Sequence, residues 1–277
     1  MLSIIYESRN KKIDLINTPN LTISSYDGLN QPVAEIVSLS NPNIRGTRYQ
    51  RSSIQDRQIS FIFYVYDVEK TRRKIMDVFK SGEKGTLYLK NEYREGKIDC
   101  YTEEVNFDRF QQLTTLQIVL RAPDPYFEGL NEIFVELDNI ISQFTLEADI
   151  PEEGIDLGVI VDEHTATIVN NTDIDLGFII NVYANGEVKN PVIKNMTTNK
   201  KIGVEYTLNA GDLLVINTNK GNKKITLGDT NLINNIYMGS SFFELVRGEN
   251  ILVFESADGT GSNANVIIEY NDKYEAI

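Results

Sequence analysis

The sequence predicts a mainly β protein, all-β with one helix, in two domains. Three observations carry this. Residues 57–66, RQISFIFYVY, are β-branched or aromatic almost throughout and alternate with period two. A helical pattern occurs once, over 67–80. In the second half, short apolar runs recur between turn signals at roughly 8–12-residue spacing, the pattern of an all-β sandwich.

In the strand at 57–66, period two puts Ile59, Phe61, Phe63 and Val65 on one face and Ile62, Tyr64 and Tyr66 on the other. The second face is also apolar but carries hydroxyls. A strand apolar on both faces is covered on both, by its own domain or by a neighbouring subunit. Ile62, Tyr64 and Tyr66 are therefore the candidate subunit-interface residues. The helix follows as DVEKTRRKIMDVFK, with Asp67 as N-cap. Val68, Arg72, Ile75 and Phe79 fall at helical spacing, and Ile75, Val78 and Phe79 form the packing stripe. Lys80 suits the negative helix end and Gly82 stops it. KGTLYLK and KIDCYTEEV flank the turn-rich NEYREG and read as a hairpin. LTTLQIVLRA closes the first half, with Leu116, Ile118 and Leu120 on one face.

The second half predicts strands at ATIVN, GFIINVYA, NPVIKN, EYTLN, DLLVINT, KKITL, FFELV, NILVFES and NVIIEY, and no helix. Asn185-Gly186 predicts a two-residue type I′ hairpin, because both central positions of that turn need φ > 0. Gly211-Asp212 and Asn219-Lys220-Gly221 are further turn signals. The domain boundary is expected in 121–131, RAPDPYFEGLN, where Pro123 and Pro125 stop a strand. Charge changes there too. Residues 1–128 hold 18 Lys plus Arg against 17 Asp plus Glu; residues 129–277 hold 27-18 = 9 against 40-17 = 23. This predicts a near-neutral domain over 1–128 and an acidic sandwich over 129–277. Within the latter, 132–165 reads as a loose acidic stretch.

Composition narrows the function. A net charge of -13 over 277 residues argues against binding driven by phosphate contacts and against docking on an anionic membrane. One cysteine, Cys100, excludes an internal disulfide and a Cys-based zinc cluster; one histidine, His164, excludes a His-rich metal site. The N-terminal apolar run is followed, not preceded, by basic residues, the reverse of a signal peptide, and no run approaches the roughly 18 apolar residues of a membrane span. Synthesis in the cytoplasm is expected.

No catalytic, cofactor or metal site is expected. Of Asp162, Glu163 and His164, strand alternation lets only Asp162 and His164 share a site, too few ligands for zinc or calcium. The stretch from Asp258 to Asn263 lacks the alternating ligands and closing Glu of a calcium loop. Glu103-Glu104 and Glu152-Glu153 are pairs that arise by chance among 40 acids, and no GxSxG elbow presents a serine. Arg72-Arg73-Lys74, the strongest basic patch, spreads over a solvated helix face.

Several stretches, in order, resemble one family, the distal tail protein of long-tailed phages. Gly46-Thr-Arg-Tyr49 followed by Arg57-Gln-Ile59-Ser-Phe61 resembles that family's glycine approach to an Arg-x-Ile-x-Phe strand, and KSGEKGTLYL its following segment. APDPYFEG, with Asp124 and Pro125, resembles the Asp-Pro-Tyr segment that ends its first domain. NPVIKNMTT, the run Leu208 to Ile216 with Gly211 and Asp212, and the run Phe243 to Phe254 with Gly248 and Asn250 resemble motifs of its C-terminal domain, although Leu252 stands where Ile is usual.

The resemblance covers roughly 20–270. It implies a tail-tube-like β-sandwich or barrel domain that closes into a homo-hexameric ring, with two rings stacking at high concentration, and a galectin-like β-sandwich as the second domain. It implies a structural virion-tail protein that joins the tail tube to the baseplate or tail tip and lets DNA pass. Its implied partners are the tail-tube protein, a tail-associated hub or lysin protein, and baseplate or receptor-binding proteins. A neutral first half without a basic stripe fits a channel that conducts DNA without binding it tightly. The alternative is a carbohydrate-binding sandwich that recognises the host envelope. The absence of Trp weighs against it, and Tyr183, Tyr206, Tyr237 and Tyr270 keep it open.

Overall fold

The structure, a computed structural model, describes residues 2–40, 45–108, 114–142, 158–257 and 259–277. The chain divides into two compact units, one of Met1–Leu130 with Lys273–Ile277 and one of Asn131–Asp272. A division at 128/129 from the sequence omits the return of the C-terminal tail to the first unit. That return leaves no mark on periodicity, because two residues of strand are too few to show one.

The first unit is built on strands β1 (Ser3–Ser8), β2 (Lys11–Asp14), β3 (Leu21–Asp27), β4 (Ala34–Ser40), β5 (Thr47–Ile54) and β6 (Arg57–Val65). Helix α1 (Val68–Val78), β7 (Lys84–Lys90), β8 (Glu95–Asp108), β9 (Thr114–Ala122) and β10 (Phe127–Glu128) follow. Seven strands run in the order β2-β1-β7-β8-β9-β6-β3, and β10 extends the sheet by pairing with β8 and with the tail strand Lys273–Tyr274. The edge strands β2 and β3 do not meet, so the sheet is open and not a closed barrel. One face buries Ile4, Leu87, Ile98, Ile118, Leu120, Phe61 and Phe63 in a single core with Ile75 of the helix and Phe79 just past its end. Tyr6 stacks on Phe79 at 4.2 Å and shares a hydrogen bond with Thr102 at 3.0 Å.

Asp67 caps α1, its carboxylate accepting the Lys70 N–H at 3.3 Å. The helix ends at Val78, short of the expected Lys80, because Phe79 turns extended to reach the core. Thr71, not Arg72, fills the buried position; Arg72 is exposed with its guanidinium 6.0 Å from the Phe107 ring. Gly82 does terminate the segment, at φ +77°. The type I′ signature appears where no glycine announced it: Arg9 and Asn10, both at positive φ, join β1 to β2.

The second unit contains β11 (Ile133–Glu136), β12 (Asp138–Ser142), β13 (Gly158–Asn170), β14 (Phe178–Ala184), β15 (Val188–Asn195), β16 (Lys200–Gly203) and β17 (Thr207–Leu208). It continues with β18 (Leu213–Asn217), β19 (Lys224–Leu227), β20 (Thr230–Asn231), β21 (Gly248–Ala257) and β22 (Ala264–Tyr270). Two antiparallel sheets, β11-β22-β14-β18-β19-β20 and β12-β13-β21-β15-β16, share one core that includes Phe178, Ile180, Ile193, Phe254 and Ile268. The expected sandwich is therefore present. Of the stretch 132–165, expected to be loose, the described residues form β11, which pairs with β22, and β12, which pairs with the start of β13; residues 143–157 lie outside the described residues.

Two local expectations fail. Asn185 and Gly186 make no hairpin: neither has positive φ, and β14 and β15 lie in different sheets. The pair is a corner, latched by the Asn185 N–H to the Asn263 carbonyl at 2.7 Å and the Asn263 side chain to the Glu187 carbonyl at 2.9 Å. FFELV is not a strand. Only Leu245 bridges, to Leu176, while Phe243 packs on Phe178 at 5.2 Å. Among the described residues no helix is long and apolar enough to cross a membrane.

Candidate assembly surface

Strand β6 alternates as its sequence predicts. Ile59, Phe61, Phe63 and Val65 are buried, whereas Ile62 is half-buried, Tyr64 is 36% exposed and Tyr66 is 63% exposed. Tyr64 faces Thr22 of β3 and Thr115 of β9; Ile62 faces Ser25 and Gln117. The outward face is thus rich in hydroxyls and amides, with two tyrosines left uncovered by their own unit.

Arg57 anchors the start of this strand. It is buried, and among the described residues no carboxylate bonds to it; its guanidinium donates to the carbonyls of Gly28 (2.6 Å), Asn30, Pro125 (2.6 Å) and Glu275 (2.6 Å). Its flat cation also lies 4.6 Å from the Phe127 ring centre. Burial pulls its pKa down from the ordinary arginine value. Gly28 sits at φ +84°, and a Cβ there would come within 2.1 Å of the Gln58 carbonyl oxygen, so only glycine lets its carbonyl reach Arg57. Asp124 supports the same corner, accepting the Tyr126 N–H at 3.3 Å and the Lys273 ammonium at 2.8 Å. The motif residues Arg57, Asp124 and Pro125 therefore meet around the returning tail.

Strands β4 and β5 form an arm that the sequence does not announce. Among the described residues these strands pair only with each other, and every residue of theirs is exposed except Val37, which is half-buried. Ile36 is 67% exposed, Leu39 55% and Tyr49 60%. The neighbouring Val33 and Ile54 are exposed as well. Arg45, Arg48 and Arg51 against Glu35 make the arm cationic. Gly46, a motif residue at φ +91°, turns the chain into β5. The available signal was negative: VAEIVSLS and TRYQRSSI are β-prone but alternate toward no core.

The second unit's motif residues are turn-builders. The buried Asn250 side chain donates to the carbonyls of Val246 (2.7 Å) and Gly248 (3.1 Å), and its oxygen accepts from the Val246 N–H and the Asn195 amide, both at 3.0 Å. Gly248 (φ +92°) and Gly211 (φ +92°) supply the left-handed steps. Asp212 closes its turn by accepting the Asn209 N–H at 2.8 Å.

The remaining candidates do not converge on chemistry. His164 is fully buried, its Nε2 2.9 Å from the Gly261 carbonyl and its Nδ1 3.3 Å from that of Leu137. Burial pushes the Cys100 thiol up to about 12, which leaves it an inert thiol. Arg121 donates to both oxygens of Glu103, at 3.0 and 3.1 Å, and holds that carboxyl below its usual range. Arg73 and Lys74 lie exposed on the helix. Tyr206 and Tyr270 are partly buried against the second core, whereas Tyr183 is exposed. Asp258, Glu152-Glu153 and the side chains of Asp162 and Glu163 lie outside the described residues.

Residues 171–274 match the family model of the siphovirus-type tail component, C-terminal domain. The whole chain is similar in fold to the crystal structure of the SPP1 Dit (gp 19.1) protein, described as a paradigm of the hub adsorption apparatus in phages infecting Gram-positive bacteria. The TM-score is 0.68, at 10% identity over 99% of each chain. Chains of the phage P2 baseplate in its activated conformation, one with Ca and one with Sr, match at a TM-score of 0.49 and 12% identity over 100% of each chain. No curated protein matches in sequence.

Proposed function

We propose that this chain, a siphovirus-type tail component with the fold of a distal tail protein, is the structural hub subunit that joins the tail tube to the baseplate or tail tip. It is a protein of the virion tail. In this reading the first unit closes into a homo-hexameric ring whose channel lets DNA pass. The tail-tube protein sits on one side, and the hub or lysin protein and receptor-binding proteins on the other. The protein's task is mechanical rather than catalytic.

The observation that supports self-assembly is the β4–β5 arm. An isolated two-stranded hairpin is marginally stable in water. This one exposes Ile36, Leu39 and Tyr49 without packing on any described sheet. Ring closure needs one surface of each subunit to meet a different surface of the next. The arm and the outward face of β6, with Ile62, Tyr64 and Tyr66, are two such unlike surfaces. Tyrosine suits the second, since its ring buries area while its hydroxyl finds a partner. Ile36→Asp and Leu39→Asp should leave the melting temperature near wild type and abolish the ring in sedimentation. An intact ring in both would remove the arm from the interface.

A further inference from the structure

A cleft on the second unit has a character that neither the fold nor the hub reading accounts for. It opens on the outer face of the β15–β16–β21 sheet, with a volume of about 230 Å³, lined among others by Asn190, Lys194, Lys201, Tyr237, Glu255 and Ser256. Clefts that enclose drug-sized ligands run to about 300–1,000 Å³, so this one suits a single small ring.

The cleft is built rather than incidental. Its wall, the segment after Ile236, is latched to β16 by the Tyr237 N–H to the Gly203 carbonyl and the Ser241 N–H to the Lys201 carbonyl, both at 2.8 Å. The Gly203 N–H donates to the Ser240 hydroxyl at 3.2 Å. On the floor, the β15–β21 register slips between Lys189 and Val192, and Asn190 is held at φ +47°. A bulge of this kind re-aims a side chain, and left-handed non-glycine residues gather at binding sites.

Its charge runs against its surroundings. Residues 129–277 hold 9 basic against 23 acidic side chains, yet the cleft carries two lysines and one glutamate. Lys194 is paired with Glu255. Lys201 has no carboxylate partner among the described residues; its ammonium rests 4.6 Å from the centre of the Tyr237 ring. That contact occupies one face of the ring, where a neutral sugar would stack, and leaves N–H bonds of the ammonium available to an acceptor. The Asn190 amide, Ser256 hydroxyl and Glu255 carboxylate add the mixed donors and acceptors that recognise hydroxyl groups.

We propose that this cleft binds a small polyol bearing an oxyanion, of the sugar-phosphate type, with Lys201 on the oxyanion. This stands apart from ring assembly. Isothermal titration of the full chain with glucose 6-phosphate should give a dissociation constant on the order of 1 mM or tighter. Glucose should bind at least about tenfold more weakly. Lys201→Gln should weaken glucose 6-phosphate by about tenfold, the worth of one charge-assisted hydrogen bond, while Lys201→Arg retains binding. Lys223→Gln, removing a lysine that lies on Phe242, should change nothing. Melting curves establish that the variants fold. No heat with glucose 6-phosphate up to about 10 mM, or binding unaffected by Lys201→Gln, would overturn the site. Inorganic phosphate binding as tightly would overturn the polyol assignment.

Discussion

Strand β6 and the β4–β5 arm lie side by side in sequence, and both are β-prone, yet they meet water in opposite ways. β6 buries every second side chain, and its neighbours β3 and β9 flank it on both edges. The arm buries none fully, and its two strands satisfy only each other. Hydrogen bonding and burial are therefore separate conditions. β6 meets both within its own unit; the arm meets the first alone, and its apolar side chains are exposed.

The sharpest way to break this contrast is Phe61→Ala. Phe61 is fully buried, and truncating such a residue costs about 3–5 kcal/mol. A thermal melt should fall by the largest margin of any variant here, and a small loss would mean that β6 is not a core strand. Arg57→Met comes next. It removes the donor shared by four backbone carbonyls, which water partly replaces at the rim of the unit, so the net loss is about 1–3 kcal/mol. Hydrogen exchange should show the Lys273–Ile277 tail opening first, and a tail still protected would dissociate it from Arg57.

Tyr64→Ala lies on the outward face of the same strand and should cost the fold less than about 1 kcal/mol, while weakening assembly in sedimentation. Equal melting losses for Phe61→Ala and Tyr64→Ala, with oligomer size unchanged, would make both faces intradomain core. The smallest effect belongs to Glu103→Gln. Its folded pKa is depressed by Arg121, so any contribution is present above the ordinary carboxylate value of about 4.3 and disappears as pH falls through the lower folded value. The pair is solvent-exposed and should shift the melt barely at neutral pH.

What was legible in advance follows the same line. Ile59, Phe61, Phe63 and Val65 were readable as core because period two reports burial within a sheet. Asp67 was readable as a cap because capping is local. Asn185-Gly186 misled because a turn dipeptide does not say whether the next strand pairs back or crosses to the other sheet; the latch from Asn263 decides that, and it is distant in sequence. Arg57 stood out only through its resemblance to a family motif. Its role depends on carbonyls at 28, 30, 125 and 275, which no local pattern connects. The arm left no such mark, since its apolar residues Ile36, Leu39 and Tyr49 are exposed and period two reports burial only where a sheet has a core.

Sedimentation velocity of the wild-type chain beside Ile36→Asp, over a concentration series, tests the assembly reading most directly. The account predicts a closed species of six times the 31.4 kDa chain mass for wild type and a folded monomer for the variant. A wild-type monomer at every concentration up to those used for crystals, or a variant that closes the same ring, would contradict it.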